Sequence, residues 1–587
     1  MPPLHKLPPG PSFILGQLLS WEFTSFVASV CLVHAGNEAL GLNVPAWVIL
    51  SCSILALPCI LFAHAQHQYW RDGRKAASLG ARLAPTVPMR LPGGVDLIAT
   101  WAKAFNTGYI GDALVDWLAG GGQTVDLRTL WTSRIVTTEP QYIKMILSTN
   151  FDEYEKGEVQ QAMGESLFGT GIFLSNGDRW KFHRSMTRSF FSRERISDFE
   201  IFNRHADKVV IKMKERFSRG IAVDVQDVLF RFTLDTATEF LFGRDVKSLS
   251  AELPYPSTCK SHTRPTHPSD EFALAFNRAQ EHTFPRAFYG KFWPLLEFWK
   301  DAVTAERNIT DKFINPLIEA ALEKKNANGV DELDKEEGSL LDHLVRQTDD
   351  YDMIRDETFN IMLAGRDTTA GLTTFTVAML AKHPEIYARL RREVLDTLGP
   401  DGKVDPDNLR DMKYLRAVLN ETLRLYPNVP LNLRSTRKGV LWPSVDGGKP
   451  IYIPANTQLN YSPWLMHRRT DLWGPTAHEF DPDRFLDDRV KQYLVSNPFI
   501  FLPFNAGPRI CLGPQFAYNE ASTVIARIAQ AFEKIEFDMG SNPEAKPPAD
   551  WANGTGRKAV EKIWVRSHIT IYAQGGVWVR MEEADPE

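Results

Sequence analysis

Between Glu153 and Gln530 apolar residues recur mostly three and four positions apart, the spacing of helices that bury one face, with polar breaks between them. Strand-like runs rich in β-branched and aromatic residues lie outside or interrupt this region: TVDLRTLWTSRIVTTEP (Thr124–Pro140), KPIYIPANTQLNYS (Lys449–Ser462) and HITIYAQGGVWVRM (His568–Met581). Two polar stretches read as connections, Ala251–Asp270 with its prolines and Lys324–Ser339 with its charges. The pattern predicts a mainly α fold with small β-sheets. Regular βα alternation is missing, and no GxGxxG turn offers a site for a flavin or nicotinamide. Redox chemistry by this chain would need an external electron donor.

The N-terminal region is patterned differently. Val44 to Ala65 is a run of 22 residues without a formal charge, followed by Tyr69, Trp70, Arg71, Arg74, Lys75 and Arg82. That length matches the ~20 residues needed to span a bilayer, and the aromatic-then-basic flank predicts that its C-terminal end faces the cytosol. It is too long and begins too far into the chain for a cleaved signal peptide. An earlier apolar stretch, Ser12–Val33, carries Glu22 near its middle and reads as interfacial or as a first span paired through the His34–Asn43 loop. The expected organisation is therefore an apolar segment (residues 1–43), a transmembrane helix (44–65), a basic and Pro-rich linker (66–92) and a catalytic domain (93–587).

Composition adds two limits. A net charge of -5 over 587 residues excludes a dedicated nucleic-acid binder. The five cysteines, Cys31, Cys52, Cys59, Cys259 and Cys511, have neither disulfide nor zinc spacing, which suits a reducing compartment.

Cys511 stands in PFNAGPRICLGPQFA with no second ligand nearby. A buried structural cysteine in a glycine turn is the plain reading. A porphyrin-held metal is the other, because four ring nitrogens leave the protein only one axial atom to supply. Gly507 then permits a tight turn, Gly513 clears space beneath the ring, Arg509 can pair with a propionate and Phe504 can shield the sulfur. A helix starting near Leu512 would favour thiolate over thiol.

The stretch FNAGPRICLG resembles the cysteine-ligand loop of the cytochrome P450 family, F-x-x-G-x-R-x-C-x-G, at all five fixed positions. Other motifs agree, in the family's order. Glu421 and Arg424 in NETLRLYP resemble its E-x-x-R pair and share a helical face. Arg484 in DPDRFLD stands where the family places a second arginine, with Asp483 where Glu is common. The resemblance implies that this trio is structural. Trp180 and Arg184 in GDRWKFHRSM resemble its propionate clamp, with Arg434 as a third partner. NIMLAGRDTTAGLTT contains the A-G-x-D-T-T pattern (Ala364 to Thr369) of a helix crossing the oxygen-binding face. The resemblance implies Thr368 as the hydroxyl donor there and Asp367 as the acid that feeds it protons, while Thr369 is expected to bond back to the preceding turn.

Taken together, the resemblance implies a cytochrome P450 fold behind a membrane anchor, with thiolate-ligated haem b on Cys511. It also implies dioxygen-dependent hydroxylation and electrons from NADPH through cytochrome P450 reductase, with cytochrome b5 an optional second donor. Details of the motifs are similar to the fungal branch whose better-known members hydroxylate alkanes and fatty acids. The expected substrate is an apolar small molecule reached from the endoplasmic reticulum membrane: alkyl chains first, a polyketide or terpenoid intermediate second. A haem-thiolate isomerase would tend to lack the Asp367–Thr368 pair, and a haem sensor has no use for it.

Overall fold

The computed structural model describes residues 7–18, 21–41, 44–188, 190–191, 199–259, 267–328 and 338–585. Parts of both polar connections, residues 260–266 and 329–337, lie outside them. So do Leu42 and Asn43 of the expected first loop and, within the expected span, the side chains of residues 53–61.

The centre of the fold is the helix Tyr351–Lys382, buried on nearly every face. Asp350 starts it by accepting the Met353 N–H at 3.0 Å. It contains Gly365, Gly371 and a run of threonines, all poor helix formers, so packing rather than propensity holds it. At Gly371 a Cβ would stand 2.3 Å from Asn428 Oδ1, so the glycine permits a close approach. Helices Val225–Phe242, Lys413–Leu425 and Pro514–Ala531 pack around it. Their apolar faces form the larger core, with Phe232, Phe375, Leu419 and Val524 fully buried.

The sheets are small, as expected. The largest has five strands in the order Thr124–Asp126, Arg134–Thr137, Gln458–Tyr461, Asn432–Thr436, Tyr154–Glu155. Only the pair Arg134–Thr137 with Gln458–Tyr461 is parallel. Val565–Ser567 pairs antiparallel with Ile571–Ala573, and its turn lines the central cavity. Trp578–Glu583 joins a three-stranded sheet with Val223–Asp224 and Phe532–Phe537.

Three helices precede this body: Pro9–Leu18, Trp21–Ala39 and Ala46–Ser78. The last contains the expected span and continues through residues 66–78, so the first half of the expected linker is helical. The Pro-rich half is held against the body. Bridges tie Arg82 to Ile451 and Thr86 to Asp126. The helix Trp21–Ala39 also absorbs the start of the loop expected at His34. Pro9–Leu18 rests on the main body, where Gly10 N–H donates to Phe298 O at 3.0 Å and Phe13 meets Phe292 edge-on at 6.0 Å. Among the described residues no helix is long and apolar enough to cross a membrane.

Candidate active site

A cavity of about 470 Å³ lies between the helix Tyr351–Lys382 and the cysteine loop. Aromatic side chains line its upper part, among them Trp101, Phe105, Phe168, Phe173 and Phe284.

The loop's shape follows from its glycines. Gly507 has φ +69°, and a Cβ there would fall 1.7 Å from the Leu147 carbonyl oxygen, so only glycine fits. The chain then turns back, and Cys511 N–H donates to Phe504 O at 3.0 Å. Phe504 leans on Tyr518 with ring centres 5.2 Å apart. The helix begins at Pro514, two residues later than expected, with Gly513 as its first flanking residue. Gly513 N–H points at Cys511 Sγ across 3.4 Å. At Gly513 a Cβ would make only ordinary contacts, the nearest with Phe191 at 3.7 Å. Protein packing does not demand a glycine here; a flat group occupying the cavity would.

Cys511 lies deep in the fold, and its accessible surface opens on the cavity. Burial pushes its thiol up, against the opposing pull of the Gly513 N–H and Arg184. The amide at the helix start pulls toward thiolate, and burial outweighs that pull.

Beside the loop stand four basic side chains, Lys156, Arg184, Arg434 and Arg509, together with the buried indole of Trp180. The Arg509 guanidinium lies 4.5 Å from the Trp180 ring centre, and that of Arg184 5.9 Å. Arg184 donates to Ile510 O at 2.9 Å, Arg509 to Ser175 O at 2.6 Å and Arg434 to Leu433 O at 2.7 Å. All three spend donors on carbonyls, and among the described residues none has a carboxylate partner. Burial, then repulsion from Arg434 and Arg184, brings Arg509 down to about 9. Burial together with Arg434 and Arg509 holds Lys156 well below its usual value. Among the described residues the cavity has one acidic lining residue, Asp112, which already receives Lys558 at 2.7 Å. A thiol, a cleared floor and four cations lacking anions fit a flat dicarboxylate macrocycle bearing a metal.

On the opposite wall the helix presents Ala364, Gly365, Thr368 and Thr369. Thr368 Oγ1 donates to Ala364 O at 2.6 Å, the back-bonding expected of its neighbour Thr369. Asp367 does not join it at the cavity. Its carboxylate is fully buried, accepting from Gln280 Nε2 at 2.6 Å and Arg366 Nη1 at 2.9 Å. Burial raises it above the usual carboxylate range despite both partners.

Beneath the loop, Arg424 holds Glu421 with two bonds of 2.7 and 2.8 Å, and Arg484 Nε lies 3.6 Å from the same carboxylate. All three are buried. Arg424 also donates to the carbonyls of His467, Ala477 and Glu479, and Asp481 N–H donates to Glu421. The trio thus gathers three separate chain segments.

Sequence reading missed three residues. Lys156 carries no motif. His467 takes the Leu502 N–H on Nε2 at 2.9 Å, linking the trio to the segment that enters the cysteine loop. Glu520 is fully buried beside Thr369 and Thr236, and neither carboxylate oxygen has a donor in bonding geometry. Burial pushes it well above the usual range. The one carboxylate of the helix Pro514–Ala531, nine residues past Cys511, was the readable signal.

A sequence model of the family described as Cytochrome P450 matches residues 110–557, which include Cys511, the four basic side chains, Asp367, Thr368 and the Glu421 trio. The chain belongs to the cytochrome P450 family. Fungal relatives accompany it. Cytochrome P450 52A3-A of Candida maltosa is 38% identical over 427 residues, 70% of this chain and 77% of the relative. Cytochrome P450 52E1 of Candida apicola is 35% identical, over 80% of this chain and 88% of its own. Cytochrome P450 monooxygenase pvhE of Talaromyces variabilis is 34% identical over 88% of this chain and 95% of its own. This P450 is a haem-thiolate monooxygenase of the fungal branch that its motifs resemble.

Proposed function

We propose that this P450 hydroxylates an alkyl chain, an alkane or fatty acid, at the endoplasmic reticulum membrane, with dioxygen and electrons passed from NADPH by cytochrome P450 reductase. The observation that carries the proposal is the cavity itself, aromatic and apolar above, with the Cys511 thiol on one wall and the Thr368 hydroxyl on the other. Such a chamber desolvates an unfunctionalised carbon chain and leaves it few polar contacts.

Haem b, when bound, supplies the iron centre that activates dioxygen for insertion into a C–H bond. The chain's own residues hold and serve it. Cys511 would ligate its iron, with Gly507 and Gly513 shaping the loop and Phe504 screening the sulfur. Trp180, Arg184, Arg434 and Arg509, joined by Lys156, would hold its two propionates. Thr368 Oγ1 releases Ala364 and turns its proton into the cavity. Asp367, whose carboxyl burial raises above the usual range, is the acid that restores that proton when it parts from Gln280. Glu421, Arg424 and Arg484 fix the segments beneath the loop. The helix Ala46–Ser78, with Tyr69 and Trp70 ahead of its basic turns, anchors the protein with its catalytic body in the cytosol.

A second reading rests on polar atoms lining the same cavity without partners: Gln160 Oε1, Asn428 Oδ1 and Thr570 Oγ1. These suit an oxygenated polyketide or terpenoid. Microsomes carrying the protein and its reductase, fed alkanes, fatty acids and polyketides with NADPH, separate the two by mass spectrometry. Hydroxylated alkyl chains support the first reading; turnover of polyketides alone overturns it.

A further inference from the structure

One cavity cation is left over. Arg566, on the strand Val565–Ser567, lines the chamber apart from the group beside Cys511. Its guanidinium lies 5.4 Å from the Phe105 ring centre and 5.6 Å from that of Trp564. Phe105 in turn stacks on Phe284 at 4.7 Å, so Arg566 sits within the aromatic part of the wall. Its Nε is buried and meets no hydrogen-bond acceptor. Among the described residues Arg566 makes no ion pair, although the field of Glu281 reaches the neighbouring Tyr572. Asp112 is already occupied by Lys558 and by the Tyr109 N–H at 3.0 Å.

A half-buried guanidinium set between aromatic rings without an ion pair among the described residues is costly, and cation–π contacts at these distances offset only part of that cost. The two carboxylates of haem are matched by the four cations near the cysteine loop. What remains is a planar fork suited to one further carboxylate, in a chamber whose other walls suit a hydrocarbon chain.

We infer that Arg566 is the specificity-determining residue that binds the carboxylate of a long-chain fatty acid, and that it makes this P450 favour the acid over the alkane of equal length. The inference rests on the alkyl-chain reading above and narrows it. In the bound state the carboxylate accepts from the guanidinium while the chain runs along Phe105 and Phe284 into the cavity.

The test uses the haem-loaded protein and reads ligand binding from the shift of the haem absorption band. Hexadecanoate, its methyl ester and hexadecane are titrated into the native protein and into Arg566→Leu. The inference expects native protein to bind hexadecanoate at least tenfold more tightly than the ester, with Arg566→Leu removing that preference and leaving hexadecane unchanged. Equal native affinity for acid and ester, which requires no variant to fold, overturns it. So does a parallel loss of acid and alkane binding in Arg566→Leu, which would make the side chain a packing element. Native protein that binds hexadecane but not the acid overturns this inference and leaves the alkyl-chain reading standing. If neither ligand shifts the band, both readings fall.

Discussion

Thr368 and Ala364 are joined by a 2.6 Å hydrogen bond from the threonine hydroxyl to the alanine carbonyl, one turn back along the helix that walls the cavity. The hydroxyl therefore has a parking position from which it can rotate. Thr368→Ala removes it and leaves the Ala364 carbonyl facing the cavity. Haem content should be retained, while product formed per NADPH falls on the order of tenfold and peroxide release rises. Thr368→Ser should recover much of the loss. Unaltered coupling in the alanine variant would remove this hydroxyl from the mechanism.

Cys511→Ser replaces the only thiol on the cavity wall among the described residues. The reduced protein with carbon monoxide should lose the absorption band characteristic of thiolate ligation, and hydroxylation should cease. A band of native position and height in the variant would assign the ligand elsewhere.

Arg424→Ala would strand Glu421 as a buried charge with only Arg484 at 3.6 Å to balance it. Removing one partner of such a pair costs about 3–5 kcal/mol. Chemical denaturation should show a loss of that size, with haem released earlier in the transition. Replacing both residues with apolar ones of similar volume should cost less than the single change. A stability within about 0.5 kcal/mol of native for Arg424→Ala would contradict the structural role.

His467 sets a pH limit. Burial, then the charge of Arg424, lowers it to about 3 from an ordinary 6.5. The folded protein keeps the ring neutral while the unfolded chain takes a proton below 6.5. Stability from this group is therefore complete above pH 6.5 and is lost as pH falls toward 3. At pH 5 the loss is about 2 kcal/mol. His467→Gln should flatten the stability profile between pH 5 and 7, at some cost at pH 7. An unchanged slope would show that other groups govern acid lability.

The legible parts of this molecule were those whose geometry is local. Five residues within ten positions define the cysteine loop, and Glu421 and Arg424 stand one helical turn apart. The direction of Asp367 was not legible, because every face of its helix is buried and periodicity cannot tell which one meets Gln280. Arg484 was readable only through a motif, and His467 through none, since their partners lie elsewhere in the chain. The helical state of residues 66–78 was not legible for another reason. Basic residues after an apolar run mark a membrane boundary equally well inside a helix, and Ala46–Ser78 simply continues through them.

The crowding of Lys156, Arg184, Arg434 and Arg509 has a consequence for biosynthesis. Like charges held this close destabilise the newly made chain until a dianion arrives among them, so cofactor insertion is also a late step of folding. Cells short of porphyrin should accumulate little of this polypeptide at all, because quality control would remove it before it ever reached its partners.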